Sequence, residues 1–248
     1  MPSLAAQDSK ADSKCLNSTL GFDHIYVINL EYRTDRREKM EAIANQLNLD
    51  FEFFPAVSKY DRKELDKFNS GQLLTSVKAC YVSHYKVYQS IIMNGYGNAL
   101  ILEDDVDIEM NIVNIMTDIL LALPTDWEML YLGHCGYERF GEGVGGSDKH
   151  KIYKSNRPGC THAYAVSYIG ANKLLKELVN PQAPIDMEII EKIQQEVIIS
   201  YSFQPQVIVQ WRSKDNPSDV SPGTPEHSYP LENSTLHFLG FPWSFKNE

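Results

Sequence analysis

No apolar stretch among the 248 residues approaches the roughly 20 needed to cross a bilayer, so no membrane span is expected. Basic residues are the minority: 23 Lys and Arg stand against 33 Asp and Glu, for a formal net charge of -10. A chain of that sign repels phosphate backbones unless a local basic patch overrides it. None is visible, which excludes nucleic acid as a general partner. Cysteine is scarce. Cys15, Cys80, Cys135 and Cys160 form no C-x-x-C pair, so the spacing gives no zinc signal, and it fixes no disulfide pairing. Residues 1–14 lack the apolar core of a signal peptide, and residues 1–21 read as a flexible leader. Internal repeats are absent as well. What is present is an ordinary globular mixture, 43% hydrophobic and 11% aromatic, enough for a real core; it excludes disorder, collagen and coiled coil as descriptions of the whole chain.

Periodicity supplies the element order. Ile25 to Leu30 is a short run rich in β-branched and aromatic residues and reads as a buried strand. Met40, Ile43, Ala44 and Leu47 then repeat at helical spacing, with Thr34 or Asp35 expected to cap that helix. Phe51 to Val57 reads as a second strand that Pro55 confines to an edge or an exit. Residues 58–74 read as a loop with a short helix. A long helix begins at Thr75 or Ser76 and ends at Gly95 or Gly97. Ala99 to Leu102 and Trp127 to Gly133 are further strands, separated by a helix over about 111–123. Five glycines within 136–147 predict a mobile loop, expected to close over a ligand. Thr161 to Ser167 alternates like a strand, two helical patterns follow at 170–179 and 185–196, and Val207 to Gln210 is a last apolar strand. Strands alternating with helices predict an α/β fold, a single Rossmann-type domain over 22–220 with a central, mainly parallel sheet. Residues 221–248 form a proline-containing extension packed on it. In such sheets ligands sit beyond the carboxyl ends of the strands.

Chemistry concentrates at two such ends. Leu100-Ile-Leu-Glu-Asp-Asp-Val-Asp107 places three consecutive carboxylates, Glu103, Asp104 and Asp105, directly after an apolar strand with no cation among them. Packed carboxylates need a cation or solvent to screen them. A hard ion such as Mn²⁺ or Mg²⁺ takes oxygen ligands of this kind and keeps positions open for phosphate; the plainer alternative is a solvated turn. Asn29-Leu-Glu-Tyr-Arg33 with Arg36 and Arg37 sets arginines at a helix start after the first strand, which suits a diphosphate or, alternatively, a solvated basic face. Metal and arginine at one sheet edge are what a nucleotide diphosphate requires. A phosphatase or receiver-type domain also places aspartates after an apolar strand, but its partner Lys and Ser or Thr are not identifiable here. Asn17 and Asn233 begin glycosylation-type triplets.

The run from Phe22 to Arg37 resembles the opening of glycosyltransferase family 25, which includes bacterial lipooligosaccharide galactosyltransferases and procollagen galactosyltransferases. The likeness continues in Leu74 to Tyr85, Leu100 to Asp105, Trp127 to Gly133, Thr161 to Ser167 with Gly170 to Leu175, Pro184 to Asp186, Phe203 to Gln210 and Ser218-Asp219, in order. Ala79 stands where the family often has Gly. The resemblance implies a GT-A fold, a UDP-sugar donor carrying galactose or glucose, a Mn²⁺-type ion and inverting transfer to a hydroxyl of a glycan or glycoprotein acceptor. It assigns metal binding to Asp105, Asp104 and Asp219, and donor contacts to Asn29, Leu30, Arg33, Arg36, Ser83, His84, Glu103 and Asp104. Asp186 becomes the expected base, with Glu188 as its substitute. An N-cap role is the alternative for Asp186 and a turn role for Asp219. His134, His162 and Trp211 are weaker candidates for sugar or metal contact. A non-catalytic, transferase-like carbohydrate-binding protein would keep the sheet and lose the metal or the base. The expected compartment is the Golgi or endoplasmic-reticulum lumen if an anchor precedes the chain, and the cytoplasm otherwise.

Overall fold

The computed structural model describes residues 18–69, 71–135, 141–212, 216–220 and 231–241. Most of the expected leader, part of the glycine-rich segment (136–140) and most of the C-terminal extension lie outside the described residues. Strands β1 (His24–Asn29), β2 (Glu52–Pro55) and β3 (Asn98–Glu103) are joined by helices α1 (Thr34–Leu47), α2 (Arg62–Leu65) and α3 (Thr75–Asn94). Then come β4 (Val106–Ile108), α4 (Ile112–Ala122), β5 (Met129–Cys135), β6 (Gly145–Gly146), β7 (Lys151–Lys154) and β8 (Gly159–Ser167). Helices α5 (Tyr168–Glu177) and α6 (Ile185–Gln194), strands β9 (Ser200–Gln204) and β10 (Ile208–Gln210), and helix α7 (Thr235–Phe238) complete the described chain.

Eight strands form one sheet in the order β2-β1-β3-β8-β5-β9-β7-β6. β1 pairs parallel with β2 and β3, and β5 pairs parallel with β9, whereas β8 runs antiparallel between β3 and β5. The α/β sheet expected from the alternation is therefore present, with β8 and β7 reversed within it. Both faces of the central strands are covered, which is why they read as continuous apolar runs. Ile25 and Val27 point to one face, against Met40 and Ile43 of α1 and Ile112, Met116 and Ile119 of α4. Tyr26 and Ile28 point to the other, with Tyr81, Tyr88 and Ile91 of α3, Leu174 of α5 and Ile189 of α6. Among the described residues no helix is long and apolar enough to cross a membrane.

The ends of the elements depart from the expected caps in informative ways. Arg33 occupies the cap position of α1 without a capping side-chain bond, and Leu74 does so for α3. Gly95 closes α3 in the left-handed conformation at φ 69°, as a C-terminal glycine does. Pro55 ends β2, which is an edge strand. Within the glycine-rich segment, Gly145 and Gly146 are not loop residues but a two-residue strand paired with Ile152 and Lys151.

β4 and β10 form a separate antiparallel pair in which Gln210 lies opposite Val106. This pairing carries the chain after β10 back across the carboxyl end of β3. Gly133 makes the crossing possible: a Cβ there would stand 2.1 Å from the Ile208 carbonyl oxygen and 2.3 Å from His162 Nε2. No side chain fits at that distance.

Candidate functional site

The register of β1 on β3 sets Ile28 opposite Glu103, so the residues after both strands emerge side by side. A cleft partly open to solvent lies there. Its walls come from the segment after β1 (Leu30, Tyr32) and the start of α1 (Arg36), from α3 (Cys80, Ser83, His84), from Glu103, Asp104 and Asp105, and from Arg212 and Asp219. The returning segment is pinned in place, since Trp211 N donates to the Asp105 carbonyl oxygen at 2.6 Å and Ser76 Oγ donates to the Val220 carbonyl oxygen at 3.1 Å.

The acids are not left without cations. Arg36 is buried in α1, and its NH1 donates to Asp104 Oδ1 at 2.7 Å, 3.7 Å from Asp105 Oδ2 and 3.5 Å from Asp219 Oδ2. Its remaining nitrogens donate to Asn216 Oδ1 (2.9 Å) and the Pro217 carbonyl oxygen (2.9 Å). Arg33 holds Asp35 through two nitrogens, Asn216 at 2.7 Å, and Asp219. Arg212 Nε donates to Asp105 Oδ2 at 3.2 Å. Burial works against charge on Arg36, but Asp105 and Asp104 outweigh it and hold the guanidinium above its usual range. Both oxygens of Asp104 are taken, the second by Asn29 Nδ2 at 2.8 Å. Burial nevertheless lifts its carboxyl to about 6, against the pull of Arg36.

One oxygen in this cluster stands out. Asp105 is 4% exposed, and its Oδ1 is buried with no hydrogen-bond partner among the described residues. A buried carboxylate oxygen with no donor is costly unless a ligand satisfies it. Asp105 can offer this oxygen to a ligand in the cleft, whose wall also includes Asp219, with 31% of its side chain exposed.

The inner wall is a polar chain in an otherwise dry interior. His84 Nδ1 lies 2.9 Å from Tyr164 Oη, which lies 2.7 Å from Tyr88 Oη. His84 Nε2 points at Glu103 Oε1, 3.4 Å away, and Thr161 Oγ1 donates to the same oxygen at 3.0 Å. Burial opposes charge on Glu103, but the facing His84 outweighs it and keeps the carboxyl below its usual range. Ser83 is committed to the backbone, accepting from Val57 N at 2.8 Å and donating to the Ala79 carbonyl oxygen at 2.7 Å.

The remaining sequence candidates fall farther out. Asp186, in the first turn of α6, accepts from Cys160 N (3.1 Å) and Met187 N (2.9 Å) and is not among the cleft-lining residues. It thereby holds Cys160 at its left-handed φ of 62°. Glu188 accepts from Tyr81 Oη (2.5 Å), Gln182 N (2.6 Å) and Ala183 N (2.9 Å), clamping the start of α6 to α3. His134 and His162 are buried in β5 and β8; burial and the neighbouring His162 bring His134 down to about 4, so it is neutral at pH 7. Lys39 Nζ sits 4.3 Å over the Trp211 ring. Cys135 and Cys160 are joined in a disulfide between β5 and β8.

Arg212 and Asn216 are the residues that sequence reasoning missed. Their charged partners lie more than 100 positions away along the chain, Asp105 for Arg212 and both Arg33 and Arg36 for Asn216. The only local signal was a polar run directly after the last apolar strand.

Comparison with known proteins agrees with this geometry. The family model described as "Glycosyltransferase family 25 (LPS biosynthesis protein)" matches residues 22–189. The chain is 29% identical over 175 residues to a "Glycosyltransferase 25 family member" of Aedes aegypti, covering 64% of this chain and 28% of that protein. It is 27% identical over 191 residues to "Procollagen galactosyltransferase 1" of Danio rerio, covering 67% and 31%. A third relative, "Inactive glycosyltransferase 25 family member 3" of Homo sapiens, is 29% identical over 192 residues, covering 68% and 31%. The chain thus spans about 30% of the length of these curated relatives. With the matched region running from β1 into α6 and including the acid triplet at the cleft, the chain belongs to glycosyltransferase family 25.

Proposed function

We propose that this protein transfers a hexose, galactose or glucose, from a UDP-sugar to a hydroxyl of a glycan or glycoprotein acceptor, with inversion at the anomeric carbon. The observation that carries the reading is Asp105 Oδ1, which has no hydrogen-bond partner among the described residues, in a cleft walled by Glu103, Asp104, Arg36 and Arg212. Family membership and the name of the Danio rerio relative support it.

In this reading Asp105, with Asp219, holds a Mn²⁺-type ion, which when bound neutralises charge on the diphosphate. Arg212 lies at the cleft wall and adds positive charge beside the leaving group. Arg33 and Arg36 act one step back, since their nitrogens are engaged with Asp35, Asp104, Asn216 and Asp219. Asn29 fixes Asp104. We assign the base role to Asp186, which stands outside the cleft lining and so faces the acceptor and not the donor: it takes the proton of the acceptor hydroxyl as the hydroxyl oxygen bonds to the anomeric carbon and the bond to the diphosphate breaks. Glu188, held by three donors, keeps α6 in place. The Cys135–Cys160 disulfide and the exposed Asn233 support an oxidising, lumenal compartment.

The test is a panel of UDP-sugars with and without Mn²⁺, read as thermal shift and as product release. A metal-dependent shift and turnover with one sugar are expected; Asp186→Asn keeps the shift and loses turnover. No shift with any sugar sinks the donor assignment. A second reading, a transferase-like protein without activity, is favoured by one observation: Arg36 NH1 already lies within 4 Å of three carboxylates, where a cation would otherwise sit. Binding without turnover across the panel would select it.

A further inference from the structure

We propose that the inner wall of the cleft holds a second, softer metal site, in which a zinc-class divalent ion is bound by Cys80 Sγ, His84 Nε2 and the Glu103 carboxylate. One ligand atom from each of these residues lies within 4.8 Å of the other two. The placement follows from the fold. Cys80 and His84 are four residues apart on α3 and so share a face, and that face lines the cleft opposite the end of β3, where Glu103 emerges.

His84 carries the assignment. It is 1% exposed, its Nε2 has no hydrogen-bond partner among the described residues, and that atom faces Glu103. Its other nitrogen is engaged by Tyr164, which Tyr88 holds in turn. With Nδ1–H donated to the Tyr164 oxygen, a metal between His84 and Glu103 takes the place on Nε2 of the proton that otherwise faces the carboxylate, as metal-bound imidazoles are ordinarily oriented. Glu103 is steadied by Thr161. Cys80 is a free thiol, the other described cysteines being joined in the disulfide. A sulfur, nitrogen and oxygen set selects zinc-class ions over Mg²⁺ and Mn²⁺, which take oxygen, so this site differs in kind from the one at Asp105. Three protein ligands leave a fourth position facing the cleft. On binding, the Cys80 thiol proton passes to solvent and a thiolate–metal bond forms. A zinc-class ion here shares Glu103 with the donor cleft and blocks the nucleotide sugar, a consequence that rests on the reading under Proposed function; the metal binding itself does not.

The test uses the full chain, without added reductant, titrated with Co²⁺ alone. One equivalent should give a thiolate-to-cobalt charge-transfer band in the near ultraviolet, displaced by Zn²⁺ and not by an equal concentration of Mn²⁺. Cys80→Ser should abolish the band. His84→Gln should weaken binding about 10–100-fold, the cost typical of a damaged metal site. Circular dichroism confirms that each variant is folded. No band in the wild-type chain, a band retained in Cys80→Ser, or displacement by Mn²⁺ each overturns the site. If the band forms and Zn²⁺ removes the thermal shift caused by a UDP-sugar, the competition is supported. A shift unchanged by Zn²⁺ overturns the competition and leaves the metal site standing.

Discussion

Glu103 to Asp105 and Asp107 to Glu109 follow one another along the chain, yet their carboxylates are satisfied in different ways. Asp107 is 1% exposed and accepts from Ile108 N (2.8 Å), Leu236 N (3.0 Å) and Ser234 Oγ. Glu109 accepts from Asn233 N at 3.0 Å. Those partners are neutral, and they tie the segment leading into α7 to β4. Two acids of the triplet just before them, Asp104 and Asp105, meet Arg36 of α1 and Arg212 from beyond β10, and one Asp105 oxygen has no hydrogen-bond partner among the described residues. Neutral donors on both oxygens, as at Asp107, mark a structural acid. Opposed guanidinium groups and a leftover lone pair mark one that waits for a ligand.

The largest effect that tests this contrast is expected at Arg36. Arg36→Met strips the buried partner from Asp104 and should cost about 3–5 kcal/mol in urea unfolding. A loss below about 1 kcal/mol would show that the acids are held by something else. Next is Asp105→Asn, which keeps the shape and removes the charge beside the free oxygen. It should lower kcat/KM for the donor about 10²–10³-fold with the fold retained, and an unchanged value would erase the distinction between the two acidic stretches.

The third test is a pH series on Asp104, whose carboxyl stands at about 6 in the fold against 3.8 ordinarily. The folded protein keeps a proton there that the unfolded chain releases, so this group's contribution to stability falls as pH rises between those values. Asp104→Asn, which does not titrate, should therefore gain on the wild type by on the order of 3 kcal/mol from about pH 4 to about pH 6, and no further above. A constant difference in unfolding free energy across that range would remove the proton from Asp104. The smallest effect is expected at Asp107→Ala: a stability loss of about 2 kcal/mol from the stranded donors of the α7 segment, with kcat/KM per folded molecule unchanged.

Much of the scaffold was legible. Buried strands declare themselves as short β-branched runs, and β1 and β3 were read that way because both of their faces are covered. The reversed strand β8 was seen as a strand but not as antiparallel, since direction is a property of pairing and not of composition. Strands β4, β6, β7 and β9 were missed; Val106 to Ile108 is too short and too acidic in context to signal itself. Within the site, the acid triplet and the arginines of α1 were visible as local motifs. Their mutual neutralisation was not, because it depends on β10 crossing over Gly133 and delivering Arg212 and Asn216. The premise that the triplet lacks a cation holds along the chain and fails in space.

That crossing also sets an order of assembly. The acids, Arg33, Arg36 and the inner histidine leave the ribosome well before Arg212, Asn216 and Asp219, which finish the opposite wall. A nascent chain halted ahead of that point carries its negative cluster with only part of its counter-charge, and so has no competent pocket to offer. Ligand-assisted folding can therefore begin only once that segment has been made.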